Sequence, residues 1–453
     1  MSSYNIVTPA RWIFAQDART QICCIGDSQM SDTANYFGSL GLIKLCPVQV
    51  AGVVGSSLNS TAQVPARSLL SGTNITSTNI GSDATTSSLG VTNGEGWMLD
   101  PCARLTFSAD LAANAGLGNG VVLNGMNYNG STTIAGYDWR LTQPSERAWF
   151  AGRNIRARVS YFDNGTAETM PFRFLIRRVG IGASATNVSS AYTNVAPTNA
   201  AIGYASSDWS PELADPGTLS PSNNNDHEVR CVLECNGGNE STAGAFILPH
   251  RVIYQAMQST GVPANGVTWD LSGRAGISAS DCLTIRGSQA AWANRFAQTV
   301  VAPKLVIISM LGHNVETADR TTGIPNSTWI ASVEQWNNRL LAAARQTVGD
   351  NNVHLISVMP WMYTVSGNGL DTLAAADAAD ALLEAAAIRN AWGFVSLHRL
   401  LGRTAPARND LHLTQSSPVT PQNNLHVASL FWRAMQVAND TYTPAPKMMV
   451  RRR

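Results

Sequence analysis

This chain has little charge: 13% of its 453 residues are Asp, Glu, Lys or Arg, and the net charge is +1. That is about half the usual charged share. A surface so poor in charge offers no field for nucleic acid or for an acidic membrane. Lysine is rarest, with Lys44, Lys304 and Lys447 alone among the 31 basic residues, and we have no physical account of that bias. The terminal run Arg451-Arg452-Arg453 reads as a solvated tail. No stretch reaches the roughly 18 apolar residues that a membrane span needs. Met1-Ser2-Ser3-Tyr4-Asn5 lacks the basic-then-apolar order of a secretory leader. The expectation is a protein without membrane insertion that stays in the cytoplasm, joins a virion, or leaves by a non-classical route.

Cysteine is present in an odd number, seven, with no paired spacing of the kind zinc sites use. Cys231 and Cys235 lie four apart on an expected strand, too far along it for an easy disulfide. Cys23 and Cys24 fall in an apolar run and read as small hydrophobes. Asp226-His227 has no spaced partner. The sequence therefore predicts reduced thiols and shows no metal-type pattern.

An apolar fraction of 44% over 453 residues supports a sizeable core and more than one domain. Both ends of the chain alternate strand with helix. Strands are expected at Ile22–Ile25, up to Leu271, at Leu305–Met310, His354–Met359 and Phe394–Leu397. Helices are expected over 32–45, 280–299, 327–347, 370–388 and 427–437. In the 327–347 stretch Ile330, Val333, Asn337, Leu340, Leu341, Ala344 and Val348 recur at helical spacing, and Ser327 or Thr328 would cap it. Such alternation predicts a parallel sheet covered by helices. Between them, 56–93 is a Ser/Thr/Asn/Gly-rich loop, and Arg104–Phe107, Arg156–Phe162, Phe172–Ile176 and Val229–Leu233 alternate with period two. Those short strands predict an inserted β-sandwich or jelly-roll-like domain. The expected division is 1–46 and 266–453 for the two parts of the α/β domain, with 47–265 inserted.

Chemistry-bearing residues follow the expected strands. Gly26-Asp27-Ser28 comes directly after Ile22-Cys23-Cys24-Ile25. Gly273-Arg274-Ala275-Gly276-Ile277-Ser278-Ala279-Ser280-Asp281 follows Val267-Thr268-Trp269-Asp270-Leu271. Leu311-Gly312-His313-Asn314 ends Leu305–Met310, and Asn409-Asp410-Leu411-His412 precedes the last helix. Ligands of open α/β sheets bind outside the carboxyl ends of the strands. A hydroxyl at a strand-to-helix turn is exposed there, beside amides that favour negative charge.

Serine, glycine, asparagine and histidine blocks in this order resemble the SGNH, or GDSL-type, serine hydrolases. The resemblance covers the flanks and not the insert, which is read from pattern alone. It implies a three-layer, flavodoxin-like α/β domain and a cofactor-free esterase. By that resemblance Ser28 is the nucleophile and His412 the base. The oxyanion donors are the backbone N–H of Ser28, the backbone N–H of Gly276 and the side-chain amide of Asn314. Gly55 is a competing glycine, but it lacks the small residues and acid that follow Gly276.

Two departures stand out: Val315 replaces the acid that commonly follows the asparagine, and the position three before His412 is Asn409. Asp410, two before His412, is the expected orienting residue, with Asn409 or a backbone carbonyl as alternatives. Asp27, His313, Asn409 and Trp361 are candidate substrate contacts. His426 is a weaker substitute base, whereas His354 and His398 read as structural. The expected substrate is an acylated carbohydrate or another small ester. An O-acyltransferase using the same residues, or a binding or structural protein of virion or surface type that has lost turnover, are the alternatives. Oligomeric state is left open.

Overall fold

The computed structural model describes residues 2–30, 37–55, 121–122, 136–141, 153–163, 172–180, 192–195, 203–206, 208–212, 227–235, 246–274, 278–285, 288–311, 327–362, 370–403 and 421–441. The expected strand Arg104–Phe107 lies outside them. The strands among them are β1 (Ser3–Tyr4), β2 (Arg19–Asp27), β3 (Val50–Gly55), β4 (Val121–Val122), β5 (Gly136–Leu141), β6 (Asn154–Asp163), β7 (Phe172–Gly180) and β8 (Tyr192–Val195). They continue as β9 (Gly203–Ser206), β10 (His227–Cys235), β11 (Phe246–Ser259), β12 (Val262–Pro263), β13 (Gly266–Arg274), β14 (Lys304–Met310), β15 (Val353–Met359) and β16 (Gly393–Ser396).

The main sheet runs β1-β16-β15-β14-β2-β13-β3-β11-β6-β9. From β16 to β3 every pairing is parallel. From β3 to β9 every pairing is antiparallel, so the sheet is mixed. Its central strands are apolar runs; in β14 all residues after Lys304 are buried. Strands buried on both faces need that composition, because helices cover the two sides.

Adjacent residues on β13 show the two covers. The Trp269 ring meets Trp432 of the helix Pro421–Asp440 edge-on, with centroids 6.1 Å apart. Its neighbour Asp270 is bound by Arg295 of the helix Gln289–Thr299 at 3.0 Å. Successive strand residues point to opposite faces, so those two helices lie on opposite sides of the sheet. The result is a helix–sheet–helix arrangement of α/β class.

The interval read as an insert meets this sheet directly. β3, which falls inside 47–265, pairs in parallel with β13, and the long strand β11 pairs with both β3 and β6. A second sheet, β5-β10-β7-β8, holds four strands. The period-two pattern at Arg156–Phe162 therefore belongs to an extension of the main sheet, while those at Phe172–Ile176 and Val229–Leu233 belong to the second sheet. Cys231 and Cys235 both lie on β10.

The expected helix over 280–299 is two helices, Ala279–Ile285 and Gln289–Thr299. The helix Ser327–Val348 matches its periodicity, and its one polar stripe residue is accounted for. Fully buried Asn337 accepts from the Ser309 hydroxyl of β14 at 2.7 Å and donates to Ser357 of β15 at 3.3 Å. Thr372 caps Leu373–Arg389 by accepting from the Ala375 N–H. No described helix is long and apolar enough to cross a membrane.

Arg295 and Asp270 are both fully buried. The guanidinium donates to both Asp270 oxygens, at 3.0 and 3.2 Å, and to the Ser272 hydroxyl at 2.9 Å. It also lies 4.6 Å from the centre of the Trp292 ring. Removing one partner of such a pair strands a charge in the core. Arg295→Ala is expected to cost about 3–5 kcal/mol of stability, read from urea denaturation midpoints. A shift below about 1 kcal/mol would show that the pair is not holding the layer to the sheet.

The thiols of Cys23 and Cys24 are raised well above their ordinary range by burial and then by nearby Asp270, and burial pushes Cys46 up to about 12. A thiol that ionises later in the folded chain than in the unfolded one stabilises fully below about pH 8.5. That contribution is lost as pH rises through the folded value. Stability is therefore expected to fall between about pH 9 and 12, with the three thiols inert to alkylation at neutral pH.

Candidate active site at the carboxyl edge

The Gly-Asp-Ser turn is built by close approach. β2 ends at Asp27, and Ser28–Met30 winds as one 3-10 turn. A Cβ on Gly26 would sit 2.1 Å from the Met310 carbonyl oxygen of neighbouring β14, so no other residue fits there. Asp27 is fully buried, and its Oδ1 accepts from the Gln29 N–H at 3.0 Å. That bond fastens the turn, the usual use of Asp at a bend. It sets Asp27 under the turn, away from the open surface expected of a substrate contact. Gln29 in turn accepts from the Phe37 N–H at 3.4 Å, tying the turn to the π-type helix Phe37–Ile43.

The neighbouring strand ends are level with this turn. In the parallel ladders Gly26 is in register with Gly273 of β13 on one side and Met310 of β14 on the other, and Asp27 with Arg274. Gly276 lies two residues beyond β13, and Asn314 four beyond β14. Three of the sequence blocks thus begin at the carboxyl edge of three adjacent strands. Gly55, the competing glycine, ends β3, one strand further from β2.

Asp281, the acid after Gly276, has a structural task. It accepts from the Ser278 N–H at 3.1 Å and from the Ser278 hydroxyl at 2.9 Å, while its own N–H donates to that hydroxyl at 3.2 Å. This is a capping box that starts the helix Ala279–Ile285. A small residue followed by an acid three positions later was the available signal.

The helix Pro421–Asp440 docks against the helix after Ser28. The Trp432 indole N–H donates to the Leu42 carbonyl at 3.0 Å, and a Cβ on Gly41 would meet Ala428 at 3.0 Å. The Asn409–His412 block therefore precedes, in sequence, an element anchored beside the Gly26-Asp27-Ser28 turn. Gly276, His313, Asn314, Asn409, Asp410 and His412, like the Ser28 side chain, lie outside the described residues.

Trp361 is fully buried, with its ring 5.8 Å from Phe37 in an edge-on contact. It packs the floor beneath the turn, not an open platform. His354 bonds the Asn5 carbonyl at 3.0 Å, and burial lowers its pKa. His398, fully buried, sits 3.0 Å from Asp377. Both serve packing, as their places beside core strands imply. His426 is exposed on the last helix. Among the described residues no group of three or more His, Cys, Asp or Glu could hold a metal ion.

No protein-family model matches the chain, and no curated protein matches its sequence. Solved structures give distant likenesses. A peptidoglycan O-acetylesterase is 10% identical, with 96% of each chain covered and a TM-score of 0.44. A family two carbohydrate esterase from Clostridium thermocellum, in complex with cellohexaose, is 11% identical. That match covers 68% of this chain and 93% of the other, with a TM-score of 0.24. Scores of this size assign no residue and no activity.

Gly26→Ala tests the close approach at the turn. The clash with the Met310 carbonyl must separate β2 from β14 or shift the turn, at about 1–3 kcal/mol. A lowered melting temperature is expected; an unchanged one would mean that the strands are not in this register.

Proposed function

We propose that this chain is a serine esterase of the SGNH type, acting on a small acyl group, acetyl above all, carried by a carbohydrate. The observation that supports this reading most is the common level of Gly26, Gly273 and Met310. It starts the serine, glycine and asparagine blocks at neighbouring points of one sheet edge. A surface turn of Gly-Asp-Ser alone would need no such alignment.

In this reading the Ser28 hydroxyl attacks the acyl carbon while His412 takes its proton. The oxygen that becomes negative is held by the N–H groups of Ser28 and Gly276 and by the Asn314 amide. His412 returns the proton to the leaving alcohol, then activates the water that releases the acid. Asp410 orients the imidazole, with Asn409 or a backbone carbonyl as its substitutes. His313 and Asn409 are the proposed substrate contacts beside the cleft. The mechanism as written uses no metal and no organic cofactor. With a sugar hydroxyl in place of water, the same residues would make an O-acyltransferase.

The domain reading belongs to the same proposal. Segments 1–46 and 266–453 form a three-layer, flavodoxin-like hydrolase domain, and 47–265 is the β-rich insertion. β3 carries the parallel sheet a few residues past that first boundary.

A second reading is favoured by Asn409, which stands where the family's aspartate is expected: a binding or structural protein on the hydrolase frame. Hydrolysis of p-nitrophenyl acetate separates the two. Ser28→Ala is expected to lose several hundredfold or more of the wild-type rate, and Asn314→Ala about a hundredfold to a thousandfold in kcat. Equal rates for wild type and Ser28→Ala would end the esterase reading. Asp410→Asn is expected to slow turnover more than Asn409→Ala; no effect from either would remove both as orienting residues. Release of acetate from a panel of acetylated glycans then identifies the substrate.

A further inference from the structure

The opposite edge of the sheet carries a cavity of about 590 Å³. It is formed where four chain segments meet: Gln49 before β3, Arg153 and Asn154 at the start of β6, the end of β11, and Asn265 before β13. This is the amino edge of the parallel strands. β13 is nine residues long, so the two edges lie roughly 30 Å apart. The cavity is separate from the turn at Ser28.

Its lining has two parts. Met257 and Ala264, 2% and 6% exposed, close its floor and leave it mainly polar. Around them stand the amides of Gln49, Asn154, Gln258 and Asn265 and the guanidinium of Arg153. An amide presents acceptors and donors in equal measure. Vicinal hydroxyls of a sugar ring need that combination.

The lining is also held in place. Gly266 has φ 124°, and a Cβ there would meet the Gln49 carbonyl at 2.3 Å. The Val267 N–H donates to that same carbonyl at 3.0 Å. Asn154 donates to Glu212 at 3.2 Å, and Glu212 also accepts from the Gly261 N–H. The Ala264 N–H closes onto the Ala256 carbonyl at 2.9 Å. These bonds fix the backbone beneath the lining and the Asn154 amide, which lowers the ordering cost of binding.

We infer that this amino-edge cavity is a binding site for a neutral saccharide unit. Arg153 in the lining and Glu212, bonded to the Asn154 amide, carry opposite charges, so neither sign of ligand is favoured. The volume lies within the ordinary range for small-ligand sites. No aromatic ring lines the cavity among the described residues, so the affinity is modest, on the order of 1 mM. The inference does not rest on the esterase reading, since the site needs no turnover.

Saturation-transfer NMR on the full chain, with cellotriose, xylotriose and the trimer of N-acetylglucosamine, tests it against sodium methyl sulfate, whose methyl protons are observable, as the anion control. At least one saccharide is expected to bind. Gln258→Ala and Asn265→Ala each weaken binding about fivefold, the size of one hydrogen bond. Both variants keep the wild-type melting curve and p-nitrophenyl acetate rate. Absence of binding by all three sugars at about 20 mM overturns the inference. So does binding that neither variant weakens, or methyl sulfate binding that both variants abolish while sugars give no signal. Failure of the esterase reading would appear in the Ser28→Ala rate comparison and leave this titration intact.

Discussion

The buried pair between Arg295 and Asp270 is the constraint around which this molecule is arranged. Two charges taken out of water are costly, and they persist only where each has several partners. Here the guanidinium has a bifurcated carboxylate, a serine hydroxyl and an aromatic face. The carboxylate also accepts from the Cys23 thiol of β2 at 3.5 Å. The pair therefore locks one helix to β13 in a single register, a specificity that apolar packing alone would not impose.

That helix is gripped again at its carboxyl end. Gln21 of β2 donates to the Thr299 carbonyl at 3.2 Å and accepts from the Val301 N–H at 2.9 Å. Arg158 of β6 donates to the Gln298 carbonyl at 2.6 Å. Helix ends leave carbonyls without intrahelical partners, and cations there are favoured by the helix dipole. One helix thus touches β2, its parallel neighbour β13 and the antiparallel extension. The extension joins the parallel sheet through β3–β11 pairing and through this shared helix end, so the two parts of the sheet are coupled through more than one strand.

The parallel half was legible in the sequence because strands covered on both faces must be apolar runs, as Ile22–Ile25 and Leu305–Met310 are. The long helix was legible from its stripe, and the polar member Asn337 is the residue that bridges two strands. The partners of the period-two strands were not legible. Alternation reports that one face is buried and says nothing about which strand lies alongside. Arg156–Phe162 and Phe172–Ile176 therefore looked alike, yet one extends the main sheet and the other builds a second. The Asp270–Arg295 pair was missed for a related reason: an acid inside an apolar strand signals a buried partner without naming it. Of the site, the turn at Gly26 and Asp27 was readable from turn chemistry. The buried positions of Asp27 and Trp361 were not, because a motif fixes order along the chain and not depth.

The same distinction bears on the displaced acid. Between His412 and Pro421 the chain has nine steps, which reach up to about 30 Å when extended. The helix that follows is fixed beside the Gly26-Asp27-Ser28 turn through Trp432 and Gly41. One end of the segment is thus anchored and the rest has ample reach. Moving an acid from three to two residues before a histidine changes its place by one step, about 3.8 Å. In a rigid strand that step would turn the side chain to the opposite face. Under the proposed esterase reading the nine steps before that anchored helix leave reach for either Asp410 or Asn409 to serve His412, which is why the two substitutions are compared.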